Sequence, residues 1–101
     1  MKVLYHIGDH IGSETMMKKG VMDEHLFPLS IQSDDFIKLD RLKSVEIYKL
    51  SSGCTFLKIL NGNETIYLTV PRIYIESGNG FVIVNYFATK KLKRILESSL
   101  S

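Results

Sequence analysis

The sequence predicts a mainly β fold (α+β), a bent antiparallel sheet or small barrel of six or seven strands capped by one C-terminal amphipathic helix. Alternating apolar and polar residues flank Asn-Gly-Asn at 61–63, which is a strong hairpin signal. Short apolar segments separated by turn-forming residues recur over residues 1–84 and predict six or seven strands. After Asn85 the apolar period changes from two residues to about 3.6, which predicts a helix.

The first third of the chain contains two apolar segments that favour strands, at 2–7 and 26–31. Turn-forming residues follow each of them, at 8–13 and at 32–35. The stretch 14–25 is compatible with two strands joined by a turn or with one irregular helical turn.

Residues 36–50 allow two interpretations. In the first, a short strand, a turn at 40–43 and a second strand follow one another, because Val45 and Ile47 alternate with polar residues. In the second, a helix over 34–43 is capped by Ser33. The alternation favours the two strands.

The register of the hairpin at 55–70 follows from the position of its turn. A turn centred on Gly62-Asn63 places Leu57 opposite Leu68 and Ile59 opposite Ile66, so that one face is apolar. A turn one residue earlier would place Ile59 opposite Glu64 instead. Because a one-residue slip moves a strand's apolar set to the wrong face, we expect the first register.

Pro71 lacks a backbone N–H and is expected to end or bend the second hairpin strand. A strand at 72–76, a turn at 77–80 and a strand at 81–84 follow. The last of these strands has no polar face, so we expect it to be covered on both sides.

The segment after Asn85 predicts an amphipathic helix of about three and a half turns, with Asn85 as its N-cap. Its apolar face contains Ala88, Leu92, Ile95, Leu96 and Ser99. A helix of this length is not stable alone in water, so this face must dock on another part of the protein.

Composition limits the classes of protein to consider. The 101 residues suffice for one domain, 1–101, and the net charge of +2 is small for a nucleic-acid-binding protein. One cysteine forms no internal disulfide, and no signal peptide or apolar membrane segment is recognisable. We therefore expect a soluble cytoplasmic protein without a cofactor.

The phrase IKLDRLKSVEI at 37–47 is similar to one that occurs in small bacterial pleckstrin-homology-like domains. It has the form apolar, any residue, apolar, Asp, basic, Leu or Ile, any residue, Ser, Val. The resemblance implies a bent sheet with a C-terminal helix that binds peptides, proteins or lipid headgroups and seldom catalyses. Members that bind inositol phosphates use basic residues after the first strand. The corresponding loop here, 8–13, contains Asp9 and no Lys or Arg, so that activity is not expected.

His6, Asp9 and His10 are residue types that bind metals, and His25 is a candidate fourth ligand. On one extended strand the Cβ atoms of residues 6 and 10 are about 13 Å apart, too far for the two histidines to share an ion. Only a turn at Gly8 would bring them together. We favour a strand end followed by a turn over a metal site. No nucleophile elbow or phosphate loop is present, so an enzyme is not expected.

The sharpest surface feature is the basic cluster Lys90, Lys91, Lys93 and Arg94, four cations within five residues. A solvated helix face explains it, and contact with an acidic protein, a nucleic acid or an anionic membrane are the alternatives. Aromatic residues do not interleave with these lysines in the manner typical of single-strand binding.

The sequence therefore predicts a non-catalytic interaction module that binds a protein partner, or a second copy of itself through an exposed edge strand. The first alternative is a small nucleic-acid-associated protein or mobile-element inhibitor that uses residues 90–94. The second is a metal-binding protein that uses His6, Asp9 and His10. Neither a small-molecule substrate nor integral membrane association is expected.

Overall fold

The computed structural model describes residues 1–12, 17–50, 53–75 and 81–100. In these ranges the chain forms nine strands and one helix. The strands are β1 (Lys2–Ile7), β2 (Lys18–Val21), β3 (Ser30–Ile31), β4 (Ile37–Lys38), β5 (Leu42–Lys49), β6 (Thr55–Asn61), β7 (Glu64–Thr69), β8 (Pro71–Ile75) and β9 (Phe81–Val84). The helix, α1, comprises Tyr86–Glu97.

The main element is a five-stranded antiparallel sheet in the order β2-β1-β7-β6-β5. Two small sheets, β3-β4 and β8-β9, stand beside it. The mainly β architecture with a C-terminal helix is confirmed, but the sheet does not close into the small barrel that the sequence allowed, and the described residues form nine strands where six or seven were predicted. The chain leaves the sheet at Pro71, and β8 and β9 pair with each other instead of bridging β2 and β5.

The predicted hairpin register is confirmed. In the β6-β7 ladder Leu57 pairs with Leu68 and Ile59 with Ile66, around a turn at Gly62-Asn63. Gly62 has φ +61°, a left-handed conformation that glycine adopts without steric cost, and its N–H donates a hydrogen bond to the Arg41 carbonyl (2.8 Å). The turn and the apolar pairs therefore specify the same register.

Residues 36–50 contain two strands, and the alternative helix at 34–43 is wrong. The first strand, β4, pairs with β3 instead of with β5. Asn61 explains the separation, because its buried amide accepts a hydrogen bond from the Arg41 N–H (2.9 Å) and donates one to the Lys38 carbonyl (3.1 Å). These bonds satisfy the backbone of the turn between β4 and β5.

Three predicted segments differ from the structure. Only Ser30–Ile31 of the predicted strand 26–31 is extended and paired, and the preceding Phe27 is 59% exposed. The stretch 14–25, for which the sequence allowed two alternatives, contains β2. Positions 13–16 and the predicted turn 77–80 lie outside the described residues. Ile83 is 43% exposed, so the expectation that 81–84 is covered on both sides is wrong, because β9 pairs with β8 away from the main sheet.

The main sheet buries apolar side chains on both faces. One face, covered by α1 and the β3-β4 pair, contributes to a cluster that includes Val3, Leu57, Ile59, Ile66 and Leu68. The other face contributes Leu4, Phe56 and Tyr67, which pack with Ile11 and Met17. This second face is only partly covered, because the exposed Glu46 and the half-buried Lys58 lie on it beside Tyr67.

Helix α1 is attached to the end of β7 by polar contacts. Asn85 caps the helix, accepting a hydrogen bond from the Ala88 N–H (3.1 Å), and its own N–H donates to the Val70 carbonyl (2.8 Å). The buried Thr89 hydroxyl accepts from the Val70 N–H (3.2 Å) and lies 3.3 Å from the Thr69 hydroxyl, which donates to the Thr55 carbonyl (2.9 Å).

The predicted apolar face of α1 is confirmed at its centre. Leu92 and Leu96 are fully buried, and Ala88 and Ile95 are partly buried against the same cluster. Ser99 was assigned to this face and is exposed, because the helix ends at Glu97 and the chain turns away. The contact with the sheet is therefore shorter than the sequence period suggested.

We expect the substitution Thr89→Val to lower the free energy of unfolding by about 1–3 kcal/mol, because it leaves the buried Val70 N–H without an acceptor. Urea denaturation followed by circular dichroism measures this. The same substitution at the half-buried Thr65 is the control and should change stability by less than about 0.5 kcal/mol. Equal stabilities of the two variants would show that the hydroxyl does not hold the helix.

Candidate interaction surface

The four cations of the basic cluster predicted from the sequence have different environments in the structure. Lys90, Lys91 and Arg94 are exposed on α1. Lys93 is half-buried, and its ammonium group forms an ion pair with Glu97 (3.0 Å), one helical turn later. Glu97 is the one acidic residue of α1 and is paired with Lys93, so the other three cations face solvent.

Two aromatic residues, which the sequence analysis did not assign to this surface, lie among these cations. Phe87 is 84% exposed and Tyr86 is 42% exposed, and their ring centroids are 6.1 Å apart in an edge-to-face arrangement. The Lys90 ammonium lies 5.3 Å from the centroid of the Tyr86 ring. The expectation that aromatics do not interleave with the lysines is therefore wrong. The i, i+4 spacing of Tyr86 to Lys90 and of Phe87 to Lys91 is the signal that could have revealed it.

Helical geometry places these side chains on one face. At 3.6 residues per turn, positions 86, 87, 90, 91 and 94 fall within an arc of about 140°, opposite to the buried leucines. We call Tyr86, Phe87, Lys90, Lys91 and Arg94 the aromatic–basic face. A cation over an exposed ring contributes about 0.5–1 kcal/mol, enough to orient Lys90 without removing it from solvent.

The β8-β9 pair leads directly into this face. Ile73 and Ile83 are directly paired across the two strands, so they project to the same side, and they are 48% and 43% exposed. Asn85 then connects Val84 to the first turn of α1. Exposed apolar side chains thus occur in β8, in β9 and at the start of α1, in consecutive elements of the chain.

The three histidines do not converge on one point in the structure. His6 is half-buried on β1, and its Nε2 lies 3.1 Å from the carbonyl oxygen of His10, a backbone group. The Asp9 carbonyl is 3.4 Å from the Tyr67 hydroxyl, and His25 is exposed beside Glu24 (4.0 Å). Among the described residues no three His, Cys, Asp or Glu side chains form a group that could hold a metal ion. The geometry thus gives the metal-binding alternative no support.

A second charged cluster ties β2 to the turn before β4. The Lys18 ammonium lies 3.2 Å from the Asp35 carboxylate, and this hydrogen bond, with the attraction between the two charges, raises the pKa of Lys18. Tyr5 and Ser33 share a hydrogen bond between their hydroxyls nearby. Both partners of the ion pair are exposed, so the pair contributes little to stability.

No protein-family model matches the chain. Comparison with curated proteins finds no significant match, and comparison with solved structures finds none. In the part of the chain that the structure describes, no helix is both long and apolar enough to cross a membrane.

We expect Phe87→Ala to change the free energy of unfolding by less than about 0.5 kcal/mol, because the ring is in solvent. Leu92→Ala, on the opposite side of α1, should cost about 2–5 kcal/mol because it opens a cavity in the core. Urea denaturation of both variants tests this. A loss above 1 kcal/mol for Phe87→Ala would mean that the ring packs against the protein.

Proposed function

We propose that this chain is a non-catalytic interaction module of the pleckstrin-homology-like type, which binds an acidic segment of a partner protein in the cytoplasm through its aromatic–basic face. The observation that carries the proposal is Phe87, a large apolar ring that is 84% exposed among Lys90, Lys91 and Arg94. An exposed aromatic ring adds little to the stability of the fold, whereas aromatic residues are enriched at protein–protein interfaces.

The composition of the face matches that of protein–protein interfaces. Aromatic residues and arginine are enriched at interface centres, where one or two side chains contribute most of the binding energy. Complete burial of Phe87 by a partner would contribute about 1.5–3 kcal/mol. The surrounding cations would select acidic partners and accelerate association more than they would add affinity.

Charge also argues against a second copy as the occupant of this face. Two copies placed face to face would bring Lys90, Lys91 and Arg94 against the same three cations. Like charges in contact across an interface cost several kcal/mol, so a different, acidic chain is the better partner. Self-association would then have to use another surface, such as the edge of the sheet at β5 or the exposed Ile73 and Ile83.

One observation favours the nucleic-acid alternative. Tyr86 lies under Lys90, and Phe87 lies among the other cations, so bases could stack where phosphates are neutralised. Against it, the net charge of the whole chain is only +2. A nucleic-acid-associated protein or mobile-element inhibitor is therefore the second candidate, and the experiment below separates the two.

The test is a titration of ¹⁵N-labelled protein, followed by amide NMR, with a short synthetic peptide rich in Asp and Glu that contains Leu and Phe. We expect saturable shifts over residues 86–94. Lys90→Glu/Lys91→Glu/Arg94→Glu should weaken binding roughly thirtyfold, since each exposed ion pair contributes about 0.5–1 kcal/mol. Phe87→Ala should weaken it at least about tenfold.

The matched control reverses three exposed lysines elsewhere, Lys38→Glu/Lys43→Glu/Lys49→Glu, and should retain binding within about threefold. Equal losses in both triple variants would reduce the effect to net charge and overturn the proposal. A short single-stranded DNA and a DNA duplex are titrated in parallel. Binding of DNA in place of the peptide, with a steep salt dependence, would establish the second candidate instead.

A further inference from the structure

A separate groove, which shares no lining residue with the aromatic–basic face, lies at the start of β1. It has a volume of about 460 Å³ and is open to solvent. Its lining comes from β1, β2, the residue after β3 and the start of β8, namely Lys2, Val3, Leu4, Lys19, Gly20, Val21, Gln32, Pro71 and Arg72. The volume lies within the range of about 300–1,000 Å³ that small-molecule sites occupy.

The strand register explains why two lysines meet at this groove. Lys2 is paired with Val21 and Leu4 with Lys19, so all four side chains project to the same face of the sheet. Lys2 and Lys19 are therefore diagonal neighbours on adjacent strands. Lys19 already has an interaction partner within the chain, so the candidate site is built on Lys2 and on a cation from β8.

That second cation is Arg72, and a β-bulge places it there. In the β8-β9 ladder Pro71 pairs with Val84 and Ile73 with Ile83, which leaves Arg72 as the extra, unpaired residue of its strand. Bulges of this kind redirect a side chain relative to a regular strand. Here the exposed Arg72 lines the groove, together with Lys2 from the neighbouring β1.

The lining combines an apolar floor with a cationic rim. Leu4 is buried beneath the groove, and Val21 and Pro71 add apolar surface at its sides. Among the described residues that line the groove, none carries a carboxylate. A phosphate monoester carries a charge of about −1.5 to −2 and three acceptor oxygens, which matches one guanidinium and one ammonium group.

We propose that this groove binds a phosphate monoester attached to an organic group, with Lys2 and Arg72 on the phosphate and the organic group over Val21 and Pro71. The site shares no residue with the aromatic–basic face, so its test is independent of the test of the function proposed above. A soluble organic phosphate and a phosphate-bearing lipid headgroup present the same chemistry, and separate probes distinguish them.

The experiment is an amide NMR titration of the labelled protein with adenosine monophosphate, with adenosine as the probe that lacks phosphate. We expect saturable shifts at Val3, Leu4 and Gly20 with the monophosphate and none with adenosine. Vesicles of phosphatidylcholine with and without phosphatidic acid are the lipid arm. Selective binding to the phosphatidic acid vesicles would identify the headgroup as the source of the same phosphate.

Substitution assigns any binding to the groove. Lys2→Ala/Arg72→Ala should weaken binding of the phosphate probe at least about tenfold, because each residue donates charged hydrogen bonds. Lys38→Ala/Lys49→Ala removes two exposed cations elsewhere and should leave binding within about twofold. Failure of both phosphate probes to bind, equal shifts with adenosine, or unchanged binding by the Lys2/Arg72 variant would each overturn the proposal.

Discussion

The hydrogen bond from the backbone N–H of Val70 to the Thr89 hydroxyl joins the main sheet to helix α1. Val70 follows the last residue of β7, where the chain leaves the main sheet, and its carbonyl accepts the N–H of Asn85 at the start of α1. The N–H and the carbonyl of Val70 therefore both have hydrogen-bond partners at the N-terminal end of α1. Without these contacts, a buried peptide unit at the end of the sheet would have no partner.

The position of α1 follows from this attachment. With its first turns held at Val70, the helix places Leu92 and Leu96 in the core, and the opposite side, with Phe87, Lys90 and Arg94, faces solvent. The same junction begins β8 at Pro71, so the β8-β9 pair departs from the sheet instead of extending it. The open sheet and the exposed helix face are two consequences of one junction.

The two proposed sites lie outside the core for a common reason. Each face of the main sheet contributes apolar side chains to a buried cluster, which leaves little room for ligand recognition within those clusters. Recognition is left to the helix and to the strand ends beside Pro71, where an irregular backbone exposes charged side chains. Arg72 illustrates this, since its contribution to the groove depends on a bulge that interrupts regular pairing.

Local patterns in the sequence determined the elements that depend on neighbouring residues. The hairpin register followed from the alternation on either side of Gly62 and Asn63, and the helix start followed from the capping chemistry of Asn85. The core face of α1 was predictable for Leu92 and Leu96, because the helical period specifies which residues share a side. The four cations of α1 were also evident in the sequence.

Tertiary structure decided what depends on residues distant in the chain. The sheet stayed open because β8 and β9 pair with each other, a choice between strand partners of similar propensity that no local pattern encodes. The exposure of Phe87 depends on how the helix is rotated against the sheet. Lys2 and Arg72 line the same groove although they are far apart in sequence. Sequence periodicity specifies which residues share a face, and only packing specifies what that face meets.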